Sequence, residues 1–396
     1  MNISIAGTGC SLMDRLYTGV DFSGAGFQKY ISREKGDGGL TPGKLVFTEE
    51  FEQFAGVPYS RAVEEIVGLR GPDSYNIGGP AIVPLIHAAQ LHPEPRVSVH
   101  FYGALGEDAT ADKILAVIRK TPVDTRGYRK TGGVSPFTDV FSDPNWDNGN
   151  GERAFINHIG AAWNCTPESL DNAFWKGDII LFGGTALVPN IHDNLTELTR
   201  RCRETDKITL VATVFDFRNE KKDPYGRWPL GRSEETFRNT DLLIVDREEA
   251  FRISGTDKIE DSMLFFREMG TDACIITQGA EPVWLYSSGG LFKPQSILSL
   301  PISEAVGTEL RSNPESRGDT TGCGDNFAGG VIASIAEQLF QEPKGRLDII
   351  EACTVGIVSG GFTCFYAGGT YIESRSGEKL DGLKPLLESY RKQIGR

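Results

Sequence analysis

Residues 318–330 read GDTTGCGDNFAGG, five glycines, two acids and one cysteine in thirteen positions. From Phe327 onward, Val331, Ile335 and Leu339 recur every four residues, with Ala328 and Ile332 beside them, and this spacing predicts a helix beginning near Gly324 or Asp325. The start of a helix carries N–H groups without intrahelical partners and the positive end of the dipole, which together suit an anion such as phosphate. Gly322 and Gly324 have no side chain to hold that anion off. Asp325 then has two uses. It can cap the helix, or it can take the proton of a hydroxyl that attacks a bound phosphoryl group. A calcium loop is excluded, because the D-x-D-x-D-G spacing and its terminal Glu are absent.

Two other phosphate patterns fall short. GGLTPGKL sets Gly38, Gly43 and Lys44 at P-loop spacing, but Leu45 stands where a Ser or Thr would hold magnesium and no strand-like run precedes it. GTGCSL opens like a dinucleotide fingerprint with Gly7 and Gly9, but Leu12 occupies the third glycine's place, so hydride chemistry loses its main support.

The chain that must position the glycine-rich loop has 396 residues, 39% of them hydrophobic, enough for a substantial core. Its formal charge of −13, with acids and bases mixed along the chain, speaks against a nucleic-acid partner. The seven cysteines form no CxxC pair and read as neither a disulfide framework nor a zinc site. No stretch reaches the roughly eighteen consecutive apolar residues of a membrane span, and the N-terminus has no signal-peptide pattern, so a cytoplasmic protein with no membrane partner is expected.

Short β-branched runs recur at 2–7, 97–103, 178–184, 208–216, 241–246 and 273–279. Helix-like spacing lies between them, as at 111–120 and 190–202. Strands alternating with helices predict an α/β fold whose parallel sheet is covered on both faces. Residues 22–75 have weak periodicity and read as an insertion or long loop region. Residues 130–160 alternate like a β-ribbon around an Asn/Gly/Asp turn at 145–151, a small antiparallel flap.

DTTGCGDNFAGG (319–330) resembles the C-terminal signature DTxGAGDxFxGG of the PfkB, or ribokinase-like, family of carbohydrate kinases, with Cys323 where alanine is usual. NIGGPAIVPLIHAAQL (76–91) and FYGALGEDATADKIL (101–115) resemble two further family elements in the expected order. There Val83 replaces an Asn, and Ala111 or a neighbour replaces a glycine. The resemblance covers most of the chain, excepting 22–75 and a divergent stretch at 300–317.

The resemblance implies one kinase domain over 1–396. Its fold would be a ribokinase-like three-layer α/β/α sandwich with a mostly parallel central sheet, and a small β-sheet lid from about 130–160 with a contribution from 15–60. It implies transfer of a phosphoryl group from ATP, with Mg2+ and a monovalent cation as further cofactors, to a primary hydroxyl of a sugar or sugar-like substrate. Asp325 would be the general base, and the N–H groups of Gly322, Cys323 and Gly324 the anion hole. Asp14, Gly78 and Gly79 would hold the substrate, although Asp14 reads equally as a turn aspartate and the glycine pair as a tight turn; Arg153 is either a substrate contact or an exposed strand arginine; Thr277 and Gly279 of TQG, with Thr320, would touch nucleotide. DREEA (246–250) resembles the family's N-x-x-E element, so Asp246, in place of Asn, and Glu249 would organise magnesium. The same two acids read equally as an ordinary helix start. Adenine would pack near 352–369, whose small residues also suit helix packing. FDFRN (215–219) and GRWPLG (226–231) are similar to a pattern of fructokinase-like and ketodeoxygluconate kinases. A homodimer through the lid is a further family expectation. A nucleoside kinase of the same fold, and a catalytically silent ligand-sensing or scaffold protein, are the alternatives.

Overall fold

The computed structural model describes residues 2–34, 36–149, 151–313, 317–318, 320–343 and 345–396. Asp319, the first residue of the signature, lies outside them. The described strands are β1 (Ile3–Gly9), β2 (Leu12–Thr18), β3 (Leu45–Phe47), β4 (Ser74–Gly78), β5 (Val97–Leu105), β6 (Asp124–Lys130), β7 (Phe137–Asp143), β8 (Glu152–His158), β9 (Ile179–Gly183), β10 (Ile208–Ala212), β11 (Leu242–Asp246), β12 (Ala273–Thr277), β13 (Val283–Ser287) and β14 (Gln295–Leu300).

Alternation along the central strands builds the layers. Ile179 and Leu181 of β9 enter one core while Ile180 and Phe182 enter another. Leu242 and Ile244 of β11 separate from Leu243 and Val245 in the same way. A strand buried on both faces needs apolar residues at consecutive positions, as the sequence has here. Nine strands form one sheet in the order β14-β13-β12-β11-β10-β9-β1-β5-β6. It is parallel from β6 to β12 and closes with antiparallel β13 and β14. Helices Ile82–Leu91, Cys323–Gln341 and Ile349–Thr363 cover one face, and Leu195–Glu204, Arg247–Ser254 and Ile259–Glu268 the other. The expected three-layer α/β/α sandwich is present. None of the helices described is long and apolar enough to cross a membrane.

A second sheet of five strands has the order β3-β8-β7-β2-β4. β7 and β8 are the expected antiparallel ribbon, with Phe137 opposite His158 and Asp143 opposite Glu152. A short helix, Trp146–Gly149, stands at the turn. β2, β3 and β4 come from outside 130–160.

The reading of 22–75 as a long loop is corrected. The segment forms β3, the first two residues of β4 and the helices Ala25–Gln28, Thr48–Ala55 and Tyr59–Val67. Its aromatic residues Phe22, Phe27, Tyr30 and Phe51 join Tyr17, Phe141, Ala154 and Ile156 of the second sheet's outer face in a third core. Phe22 and Phe27 stack with ring centroids 4.1 Å apart. The period was hidden because single aromatic anchors are separated by turns at Gly36, Gly38 and Gly43, all with positive φ. Arg15 pins the same face, bonding both oxygens of the buried Asp139 and the Tyr59 hydroxyl. The helix expected at 190–202 is also two pieces, Pro189–His192 and Leu195–Glu204, separated at Asp193 and Asn194.

Phe51→Ala removes a fully buried ring and should cost roughly 3–5 kcal/mol. In hydrogen exchange the loss should fall on residues 22–75 and the second sheet, leaving β9–β12 protected. Uniform loss of protection would mean that the third core is not separable from the other two.

Candidate functional site

The glycine-rich loop leads into the helix Cys323–Gln341, which starts one residue earlier than its spacing suggests, because Gly322 adopts φ 75° as its N-cap. A Cβ on Gly322 would lie 2.5 Å from Gly369 Cα, so close approach as well as φ demands glycine. Gly324 is exposed, with open space where its side chain would be. The Cys323 N–H makes a long 3.3 Å bond to the Thr320 carbonyl, a weak restraint to exchange for a phosphate oxygen. Since Gly322 is the cap, Asp325 in the first turn does not serve as one. Its side chain is half-buried at the start of the helix, and loss of solvent around the carboxyl pushes its pKa from 3.8 up to about 7.

Asp14 lies on β2, paired with Asn76 of β4 and Thr138 of β7, and Thr138 is paired with Asn157 of β8. These four residues share one face of the second sheet, opposite the face that packs into the third core. The bare Gly78 makes room for Asp14: a Cβ there would sit 2.2 Å from its Oδ2. Gly79, at φ 120°, passes so close to Cys10 that a Cβ would meet its carbonyl oxygen at 2.5 Å. Burial raises the Cys10 thiol's pKa, and the charges of Asp325 and Asp14 raise it further, so both carboxylates look onto one place. Arg153 reaches from β8 to the glycine-rich loop, donating to the Thr321 hydroxyl and, at 3.2 Å, to that of Thr320.

Asp246 and Thr277 are partners at the ends of the parallel strands β11 and β12. Gly279 follows in an open left-handed turn, φ 65°. Asp246 caps the helix Arg247–Ser254 in a reciprocal box with Glu249: its carboxylate accepts from the Glu249 N–H, and Glu249 Oε2 accepts from the Asp246 N–H. Glu249 also accepts from the Thr213 hydroxyl. Burial raises the Glu249 pKa, with the charge of Asp246 and then that of Asp325 adding to it. Among the described residues no three His, Cys, Asp or Glu gather as a cage. Two carboxylates near the glycine-rich loop nonetheless fit Mg2+, which prefers one or two carboxylates, waters and phosphate oxygens. The small residues of 352–369 serve helix packing: a Cβ on Gly356 would press on Val331 at 2.8 Å and Phe327 at 3.0 Å.

Three residues at this centre have no counterpart in the sequence reading. Asn326 is fully buried; its Nδ2 donates to the carbonyls of Gly322 at 2.9 Å and Gly369 at 2.8 Å. Its Oδ1 accepts from Lys379 Nζ at 2.9 Å and Tyr366 OH at 3.2 Å, and lies 2.8 Å from His87 Nδ1. Burial brings the Lys379 pKa down to about 7. Asn157 is 2% exposed and gives Nδ2 to the Thr138 hydroxyl at 2.9 Å, while its Oδ1 has no partner among the described residues. The only hint of Asn326 was its place beside Asp325; Lys379 carried none. Asp216, in the FDFRN stretch, is a helix cap facing His192 at 3.4 Å.

Residues 57–375 match the family model described as pfkB family carbohydrate kinase. An adenosine kinase of Schizosaccharomyces pombe is 28% identical over 67% of this chain and 74% of its own length. An aminoimidazole riboside kinase of Salmonella typhimurium is 24% identical over 60% of this chain and 67% of its own. In structure, an adenosine kinase from Sinorhizobium meliloti superposes with a TM-score of 0.68 at 17% identity, covering 97% of this chain and 100% of that one.

The Asp325 carboxyl gives a stability test. Its raised pKa means that ionising it costs the folded state more than the unfolded one. Asp325→Asn should therefore be more stable than the parent at about pH 8, by on the order of 2 kcal/mol. In urea melts the advantage should shrink as pH falls from about 7 toward 3.8. A pH-independent difference would show that the carboxyl is not desolvated.

Proposed function

The chain belongs to the pfkB family of carbohydrate kinases, and from that membership and the site we propose that it transfers the terminal phosphoryl group of ATP to a primary hydroxyl of a riboside. The observation that carries the reading is the Asp325 carboxyl, held with a raised pKa in the first turn of a phosphate-binding helix and sharing the surroundings of Cys10 with Asp14. Asp14 accepts hydrogen bonds from the sugar hydroxyls. Asp325 takes the proton of the attacking hydroxyl as its oxygen bonds to phosphorus and the bond to the ADP oxygen breaks. The N–H groups of Gly322, Cys323 and Gly324 face the charge that spreads over the phosphoryl oxygens. Thr277, Gly279 and Thr320 border the nucleotide phosphates. Asp246 and Glu249 would hold Mg2+, which would supply positive charge against that of the nucleotide phosphates. The second sheet acts as a lid that keeps water from the phosphoryl group, and Arg153 latches it to the loop.

A riboside is favoured over a bare sugar by the next row of the lid. One step along from Asp14, Thr138 and Asn157, the same face carries Leu16, Val140, Phe155 and Leu45. Leu16, Val140 and Phe155 join none of the three cores. An apolar row beside a polar one suits a flat apolar group attached to a sugar. The two curated relatives are named for adenosine and for aminoimidazole riboside.

The test is ADP release with ATP and Mg2+ across adenosine, aminoimidazole riboside, ribose, fructose and ketodeoxygluconate. Turnover on a riboside is expected, falling about 10³-fold in Asp325→Asn with nucleotide binding kept. Unchanged turnover in that variant would remove Asp325 as the base. Nucleotide binding without turnover on any acceptor would favour the ligand-sensing reading.

Because the base must be ionised, turnover should rise with pH through about 7 and level off above it. A pH–rate profile that is flat across this range would sink the assignment. Phe155→Ala should raise KM for the riboside about tenfold while leaving kcat nearly unchanged, and an unaltered KM would return the choice to a bare sugar.

A further inference from the structure

Five of the seven cysteines, Cys10, Cys165, Cys202, Cys274 and Cys353, are buried, and burial raises the pKa of each. Cys323 and Cys364 alone keep contact with solvent. Their Sγ atoms lie 3.7 Å apart, although 41 residues separate them in sequence. Cys323 opens the helix Cys323–Gln341, and Cys364 closes the helix Ile349–Thr363 as its C-cap. The contact lies beside the phosphate loop on two sides: the Cys364 carbonyl accepts from the Gly318 N–H at 2.8 Å, and the Cys323 N–H holds the Thr320 carbonyl.

We propose that Cys323 and Cys364 are an oxidation site: a hydroperoxide converts them to a disulfide across the phosphate loop and so switches nucleotide binding off. The effect on binding rests on the phosphate role given to this loop above; formation of the bond does not. The positive end of one helix dipole lies at Cys323 and the negative end of the other at Cys364, so Cys323 supplies the attacking thiolate. Its sulfur bonds to one peroxide oxygen as the O–O bond breaks. The sulfur is oxidised to a sulfenic acid, and the peroxide is reduced to hydroxide, which leaves as water with a proton. The Cys364 sulfur, giving up its own proton, attacks the sulfenic sulfur; the S–O bond breaks and a second water departs. Two thiols and one hydrogen peroxide thus become one disulfide and two waters.

A disulfide brings the sulfurs from 3.7 Å to about 2.05 Å. The first turn of the Cys323 helix moves with its sulfur, and displacement by about 1 Å is enough to cost 10²-fold at a site of fixed donors. Gly322 cannot absorb the motion freely, because it already abuts Gly369.

The experiment treats the full chain with hydrogen peroxide, then maps peptides by mass and measures ATP binding by calorimetry. The expected result is a Cys323–Cys364 linked peptide and about tenfold or greater loss of ATP affinity, both restored by dithiothreitol. Cys364→Ser should yield no linked peptide after treatment, and its ATP affinity, whatever its untreated value, should be unchanged by peroxide. Absence of the linked peptide in the parent overturns the site itself, whatever the enzyme's activity proves to be. Linked protein that binds ATP unchanged overturns the switch.

Discussion

A helix N-terminus that is to hold an anion must leave its first N–H groups open, yet must be fixed to a fraction of an ångström. Those demands conflict, because the usual way to fix a helix start is a side-chain cap that occupies the same groups. Here the N-cap is a glycine with no side chain, and rigidity comes from one turn inside. Asn326 ties the Gly322 carbonyl to the Gly369 carbonyl, and Lys379, Tyr366 and His87 hold Asn326 in turn. The loop is gripped from behind, through its carbonyls, and no side chain caps its first N–H groups.

Acids crowd the same region, and the chain is acidic as a whole, which would repel a nucleotide if every carboxyl were ionised. Burial answers part of this, since both Asp325 and Glu249 are pushed toward the protonated form by loss of solvent. The cost of desolvating them is borne by the large apolar cores on the two faces of the main sheet. Asp246 and Glu249 take the helix-start reading of their motif. They form an ordinary capping box, and the geometry that satisfies the helix start also sets two carboxylates at the strand ends.

Much of this was legible in the sequence. Consecutive apolar residues in β1, β5 and β9–β12 marked strands buried on both faces, and the glycine-rich loop announced its helix. What escaped depended on distance along the chain. Residues 22–75 looked formless because their core consists of isolated aromatics whose partners, Phe141 and Ile156, lie far downstream. Lys379 reads as one charge among many until the fold buries it against a residue more than fifty positions away. Asn157 looks like any strand asparagine until the register sets it in line with Asp14. Residues identified by a local pattern were found, and those defined by a tertiary neighbour were not.

The crossing at Cys10 has a mechanical consequence. Its carbonyl accepts from the Ala81 N–H at 3.1 Å and is touched by Gly79, so the entry to β2 and the exit from β4 meet at one point between the two sheets. With a core of its own on its outer face, the small sheet is a stiff plate, and this corner is one of the points that fasten it to the main body. Asp14 stands four residues from the fastening, whereas Arg153 is level with Thr18, eight residues along. A small rotation at the corner would therefore move the arginine about twice as far as the aspartate. The Arg153 contacts with Thr320 and Thr321 are therefore more sensitive to that rotation than anything touching Asp14.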